Sequence, residues 1–171
     1  TQDDIATYFG VYKGTNILFS ATQLTLPVKG ITKPNLFKGT LIQLEFEKST
    51  NNHVIIFSKN ERKFNHFKQF NPHIEDMNKF VYVFAKKPQK IDFITEEFWN
   101  KIKPFGEKYS AKSFEMSYCN NTVLIALKQK QPLQFGSLFR SLLIAKNYDE
   151  LIDKFIAIYD LIDVLQANQS E

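Results

Sequence analysis

The chain holds 171 residues, 43% hydrophobic and 23% charged, with 22 basic against 18 acidic side chains for a net charge of +4. A chain of this length buries most of its surface as about one domain without a disulfide or metal staple, and its balance excludes disorder, collagen and coiled coil. Cys119 is the one cysteine, which excludes an internal disulfide and any multi-cysteine zinc or iron–sulfur site, and no apolar run is long enough to span a bilayer or to read as a signal peptide.

Tyr8-Phe9-Gly10-Val11-Tyr12 is aromatic and β-branched, and Ile17-Leu18-Phe19 follows the turn signal Lys13-Gly14-Thr15-Asn16, so the chain opens on a hairpin. Gln23-Leu24-Thr25-Leu26 alternates and stops at Pro27. The stretch from Val28 to Asn35 reads as a loop because of Gly30 and Pro34. Leu36 to Glu47 alternates toward its end, and His53-Val54-Ile55-Ile56-Phe57 is a buried strand. With polar Ser49–Asn52 between them, the two predict a second hairpin. Phe64, Phe67 and Phe70 recur every three residues ahead of Pro72, which predicts a short irregular helix, and Phe80-Val81-Tyr82-Val83-Phe84 predicts a strand.

Thr95 before Glu96 and Glu97 has the chemistry of a helix N-cap. Phe98, Ile102, Phe105 and Tyr109 then make one helical face, with Pro104 ending or kinking the helix near Lys103. Ser113–Tyr118 and Thr122–Lys128 flank Asn120-Asn121, which predicts a third hairpin with positive φ at its turn. Pro132 to Ala145 is a connecting segment. In the last helix Asn147 and Glu150 have capping-box spacing. Leu151, Phe155, Ile158, Tyr159, Ile162 and Leu165 form its apolar face, and Asp149, Asp153, Asp160 and Asp163 lie opposite. The fold class is α+β: a mainly antiparallel sheet built of hairpins, one inserted helix and a C-terminal amphipathic helix. A bent sheet capped by its final helix, as in pleckstrin-homology-like domains, is one such arrangement, and that analogy carries no function. One soluble domain over 1–171 is expected, with 1–7 and 166–171 as frayed ends.

The stretch Asp4-Ile5-Ala6-Thr7-Tyr8-Phe9-Gly10-Val11-Tyr12-Lys13-Gly14 with Ile17-Leu18-Phe19-Ser20, then Leu36-Phe37-Lys38-Gly39-Thr40-Leu41 with Leu44-Glu45-Phe46, resembles in order an uncharacterised bacterial family. So do Phe98-Trp99, Ser113-Phe114 with Asn121-Thr122-Val123-Leu124-Ile125-Ala126-Leu127, and Phe139 with the closing helix. That family is the domain of unknown function numbered 3137. The resemblance implies a bacterial protein whose longer relatives carry transmembrane helices ahead of this domain, and it offers no catalytic residues to carry over.

The residues themselves offer little chemistry. His66 and His73, with Glu75 and Asp76 behind them, match no metal-ligand spacing. Cys119, beside the Asn120-Asn121 turn, would need a base nearby in space to act as a nucleophile, and a lone cysteine is more often an inert small hydrophobe. No nucleophile elbow occurs, and Glu96-Glu97 and Asp149-Glu150 are explained by helix N-termini. The glycines are too scattered for a phosphate loop, and Gly14 and Gly39 read as turn or bulge positions. Charge is uneven. Residues 149–171 carry six acids against Lys154, −5 net, and the other 148 residues carry 21 basic and 12 acidic groups, +9 net. Lys86, Lys87, Lys90, Lys101, Lys103, Lys108 and Lys112 interleave with Phe93, Phe98, Trp99 and Phe105. The aromatics read as core and arginine is nearly missing, so nucleic acid is not the expected partner. Seventeen phenylalanines leave room for a few in an exposed patch.

The resulting expectation is an uncharacterised, non-enzymatic interaction or scaffolding domain with a protein partner and no cofactor or metal. Its place is the bacterial cytoplasm, tethered at the inner membrane in the full-length protein. Two alternatives stand beside it. One is a hydrolase-type enzyme with an unrecognised site, whose turnover depends on Cys119 or His66. The other is an anionic-lipid-binding module that touches the membrane surface through Lys29, Lys33, Lys86 and Lys87.

Overall fold

The structure, a computed structural model, describes residues 2–26, 35–58, 65–109, 111–130 and 145–168. Lys13 and Gly14 join β1 (Gln2–Tyr12) to β2 (Thr15–Leu26). Both have positive φ, 47° and 79°, the two-residue turn whose twist suits the flanking strands. The Lys13 ammonium is held there 2.9 Å from Asp163. β1 begins inside the stretch expected to fray, and β2 continues through Gln23–Leu26 as one strand.

The second and third expected hairpins are corrected. β3 (Asn35–Ser58) runs on through Ser49–Asn52, and β6 (Ser113–Lys128) runs on through Asn120-Asn121. The two strands form one long antiparallel ladder, from Gly39–Lys128 to Phe57–Glu115. Both polar stretches fall at its irregularity. The register passes from Glu45–Thr122 through Thr50–Asn120 to His53–Cys119, so β3 advances eight residues while β6 advances three. Asn120 takes φ 56° at that point. The buried side chains of β6 are Phe114, Met116 and Tyr118 before the bulge and Val123, Ile125 and Leu127 after it. The bulge thus exchanges which alternate residues face the core. Each half keeps its own alternation, which is why the sequence pattern reads as two strands meeting at a turn.

β2 lies beside the first half of β3, and β5 (Val81–Ala85) lies beside the second half. β4 (Lys68–Phe70) pairs with β5 at the sheet's edge. This strand stands where Phe67 and Phe70 suggested a helix, because pairing Phe70 with Val83 half-buries its ring; residue 64 lies outside the described residues. α1 (Glu75–Phe80) leads into β5.

Thr95 caps α2 (Glu96–Ile102), its Oγ1 accepting from the Phe98 N–H at 3.2 Å. Pro104 ends that helix, and α3 (Phe105–Lys108) carries the same apolar face onward. α4 (Ala145–Ala167) starts two residues ahead of Asn147, so Asn147 is not its cap. Residues 132–144 of the expected connection lie outside the described residues. Phe98, Trp99, Ile102, Phe105 and Tyr109 meet Ile158, Leu161, Ile162 and Leu165 of α4 over Phe19, Ile42, Leu44, Val123 and Ile125 of the sheet, in one core. Each such side chain stabilises by roughly 1.5–3 kcal/mol. Gly39 is neither turn nor bulge. It is glycine because a Cβ there would lie 1.9 Å from the Leu127 carbonyl oxygen.

Candidate functional site

Three places on the described surface bring chemistry together. The first lies on the sheet just past the bulge. The register sets Cys119 opposite His53. Ser117 Oγ then lies 2.9 Å from His53 Nε2, and the Phe67 ring meets the imidazole edge-on at 4.9 Å. Burial, helped by the nearby Lys86 ammonium, holds the imidazole pKa below its ordinary 6.5, so it is neutral at pH 7. A hydroxyl hydrogen-bonded to a neutral imidazole is the first half of an activated nucleophile. The second half is missing among the described residues: no side chain is bonded to His53 Nδ1. Both residues also sit mid-strand, where the neighbouring backbone N–H groups belong to the ladder and do not form an oxyanion hole.

The second place is an open cleft of about 300 Å³ that the extra residues of β3 create. Lys48, Thr50, Asn52, Lys90, Asp92 and Asn168 contribute to its lining. Asn52 builds it. Its Nδ2 donates to the carbonyls of Lys87 and Lys90 at 2.9 and 3.1 Å, and its Oδ1 accepts from the N–H groups of His53 and Lys87 at 2.9 and 3.1 Å. All four bonding positions of this buried amide are thereby used for structure. The carboxyl end of α4 reaches the cleft at Asn168, and lysines beside a helix C-terminus complement its dipole.

The third place is β1 and the sheet face beside it. Among the described residues β1 pairs with β2 alone. Thr7 through Val11 are exposed on both faces of the strand, and a Cβ at Gly10 would meet nothing within 4 Å. The register aligns Phe9, Leu18, Gln43 and Leu124 in one row across β1, β2, β3 and β6. In that row Phe9 is 72% exposed, Leu18 36% and Leu124 41%, with Val11 beside them at 63%. Four apolar side chains left in water on one sheet face is the pattern of an interaction surface.

The residues singled out in the sequence are dispersed. Lys86 sits over the Phe67 ring at 5.9 Å, and Lys87 Nζ donates to the Asn51 carbonyl at 3.0 Å; Lys29 and Lys33 lie outside the described residues. His66 is an exposed turn residue at φ 70° and His73 is exposed. Glu75 and Asp76 pair with Lys79, and Asp76 also pairs with Lys103. Among the described residues no three His, Cys, Asp or Glu side chains gather as a metal site. Phe93, Phe98, Trp99 and Phe105 are core. The acidic face of α4 is partly used within the chain, Asp160 by Lys101 at 2.9 Å and Asp163 by Lys13 and the Tyr12 hydroxyl. The Ser117–His53 pair was not legible in the sequence, since 64 residues and a bulge separate the two.

A family model described as "Protein of unknown function (DUF3137)" matches residues 35–167. The chain belongs to that family. The matched stretch takes in the bulge, the His53 face, the cleft except Asn168, and α4, and the β1–β2 hairpin precedes it. Among solved structures, the chain is similar to the crystal structure of the mycobacterial trehalose monomycolate transport factor A, TtfA. The identity is 14% and the TM-score 0.46, over 92% of this chain and 71% of that one. No curated protein matches the chain.

Proposed function

We propose that this DUF3137 chain is a non-catalytic interaction or scaffolding module that receives a polypeptide strand along β1, within a membrane-anchored bacterial protein. The observation that carries the reading is the exposed row from Phe9 to Leu124 beside a strand open on both faces. A peptide added to such an edge gains main-chain hydrogen bonds and apolar contact together. The likeness to a family with transmembrane helices ahead of this domain supports the anchor. Among the described residues no helix is long and apolar enough to cross a membrane, so the anchor would belong to another part of the protein. Catalysis is disfavoured because, among the described residues, no side chain orients His53 in the Ser117–His53 pair and no oxyanion hole faces it.

Photo-crosslinking amino acids at positions 9 and 18 of the full-length protein in cells test this. Adducts are expected at both positions and not at Glu97 or Asn100, which are exposed on α2. No adduct at 9 and 18, or equal adducts at all four, refutes the reading. Pelleting with anionic vesicles, lost on Lys86→Ala with Lys87→Ala, would favour membrane contact through those lysines instead.

A further inference from the structure

We propose that the cleft at the β3 bulge binds a small zwitterion, a primary ammonium joined by a short chain to a phosphate ester. The site is independent of the reading of β1. Its volume of about 300 Å³ lies at the small end of ligand pockets. The wall is already built, because Asn52 fixes the 87–90 turn against β3 with all four of its hydrogen bonds. A ligand therefore meets groups that need little further ordering. Phe93 and Tyr118, buried and edge-on at 5.3 Å, give the cleft an apolar floor.

The charges choose the ligand. Exposed Lys48, Lys90 and Asp92 all line the cleft. Lys90 and Asp92 are close neighbours in sequence, and neither has an ion-pair partner among the described residues. α4 ends at the same cleft in Asn168, bringing its last carbonyls and the negative pole of its dipole. That pole accounts for a lysine beside it. It does not account for Asp92, which adds a second negative group where a cation is favoured. An ammonium on the ligand answers both. For the opposite charge, the Lys48 and Lys90 ammonium groups and the Thr50 hydroxyl supply donors suited to the three outer oxygens of a phosphate ester. Thr50 Oγ1 accepts from the Asn52 N–H at 3.3 Å and keeps its own proton to donate. An anion alone is opposed by Asp92 and the helix end, and a cation alone by two lysines. The cleft therefore selects a molecule that carries both charges.

Amide NMR of the protein titrated with O-phosphoethanolamine to about 20 mM tests this. Saturable shifts are expected at Thr50, Asn51, Asp92 and Asn168, with a Kd of about 1 mM. Inorganic phosphate alone and ethanolamine alone are expected to bind about fivefold more weakly or worse. Asp92→Asn is expected to weaken phosphoethanolamine about fivefold without weakening inorganic phosphate, and Lys90→Gln to weaken both. Both side chains are exposed, so neither variant lowers thermal stability. Co-sedimentation with phosphatidylcholine vesicles, with and without phosphatidylethanolamine, separates two sources of the same chemistry. Retention only with phosphatidylethanolamine, lost in Asp92→Asn, names a lipid headgroup; shifts without retention name the free ester. No saturable shift, inorganic phosphate bound as tightly as phosphoethanolamine, or phosphoethanolamine binding indifferent to Asp92→Asn overturns the proposal.

Discussion

Gly39→Ala is the sharpest test of the packing. A Cβ at Gly39 would lie 1.9 Å from the Leu127 carbonyl oxygen, 2.9 Å from its carbon and 3.1 Å from the Gln129 nitrogen. Carbon and oxygen in contact sit about 3.3–3.6 Å apart, so the end of the β3–β6 ladder has to open by about 1.5 Å. That opening breaks the bond from the Gln129 N–H to the Lys38 carbonyl, 2.9 Å in the native chain, a loss of about 1 kcal/mol. It also pulls apart the buried Gln129 amide, which accepts from Thr40 Oγ1 at 2.6 Å and donates to the Tyr109 carbonyl. Leaving those groups unsatisfied costs about 1–3 kcal/mol more for each group stranded. The total is about 3–5 kcal/mol, against about 5–15 kcal/mol for a whole domain, and it lowers Tm by about 6–20 °C. Guanidinium unfolding and calorimetry measure it. Gly10→Ala is the control, with nothing within 4 Å of its new Cβ, and it changes stability by less than about 1 kcal/mol. Equal stability of the two variants would refute the close-approach argument.

Asn52→Ala strands the carbonyls of Lys87 and Lys90 and two N–H groups, so denaturant unfolding shows a loss of about 3 kcal/mol, and hydrogen exchange quickens at Lys87. Lys86→Ala removes a charge that, after burial, depresses the His53 pKa; an NMR titration finds the imidazole pKa raised toward 6.5 in the variant. A depressed histidine pKa means stability that is full above the ordinary value and is lost as pH falls from 6.5 to the folded value. His53→Gln flattens that decline in acid unfolding curves. Lys13 has its pKa raised by its hydrogen bonds to Asp163 and then Tyr12. Its stabilisation is therefore present below the ordinary 10.5 and lost as pH climbs through the folded value. Unfolding midpoints at about pH 9 and about pH 11.5 differ less in Asp163→Asn than in the native chain.

The helices were legible because their signals are local. Thr95 caps, Pro104 terminates, and the apolar positions from Leu151 to Leu165 share one face whatever surrounds them. The Lys13-Gly14 turn was legible for the same reason. What failed was the distinction between a turn and a bulge. Asn120 does adopt the positive φ that its residue type favours, but whether the chain then reverses or continues depends on a partner strand 70 residues away in sequence, Thr50. The His53–Ser117 contact and the row from Phe9 to Leu124 exist only once those registers are set.

The bulge also accounts for where the molecule keeps its polar groups. A ladder that carries five more residues on β3 than on β6 between Glu45 and His53 must place the excess somewhere. Here the excess folds over the cleft, where Asn52 satisfies the 87–90 turn with its own amide. Polar residues in the middle of a long strand are therefore consumed by structure, and the His53–Ser117 pair lies beside them on the sheet. The hairpin at the other end of the sheet has the opposite character. Its turn is tied to α4 by Lys13, Tyr12 and Gln166, so the strand is positioned, while Thr7 to Val11 stay exposed. A strand held rigidly at its turn and left apolar and uncharged along its edge is preorganised for another strand. The cost of ordering the edge has already been met by the tether to α4.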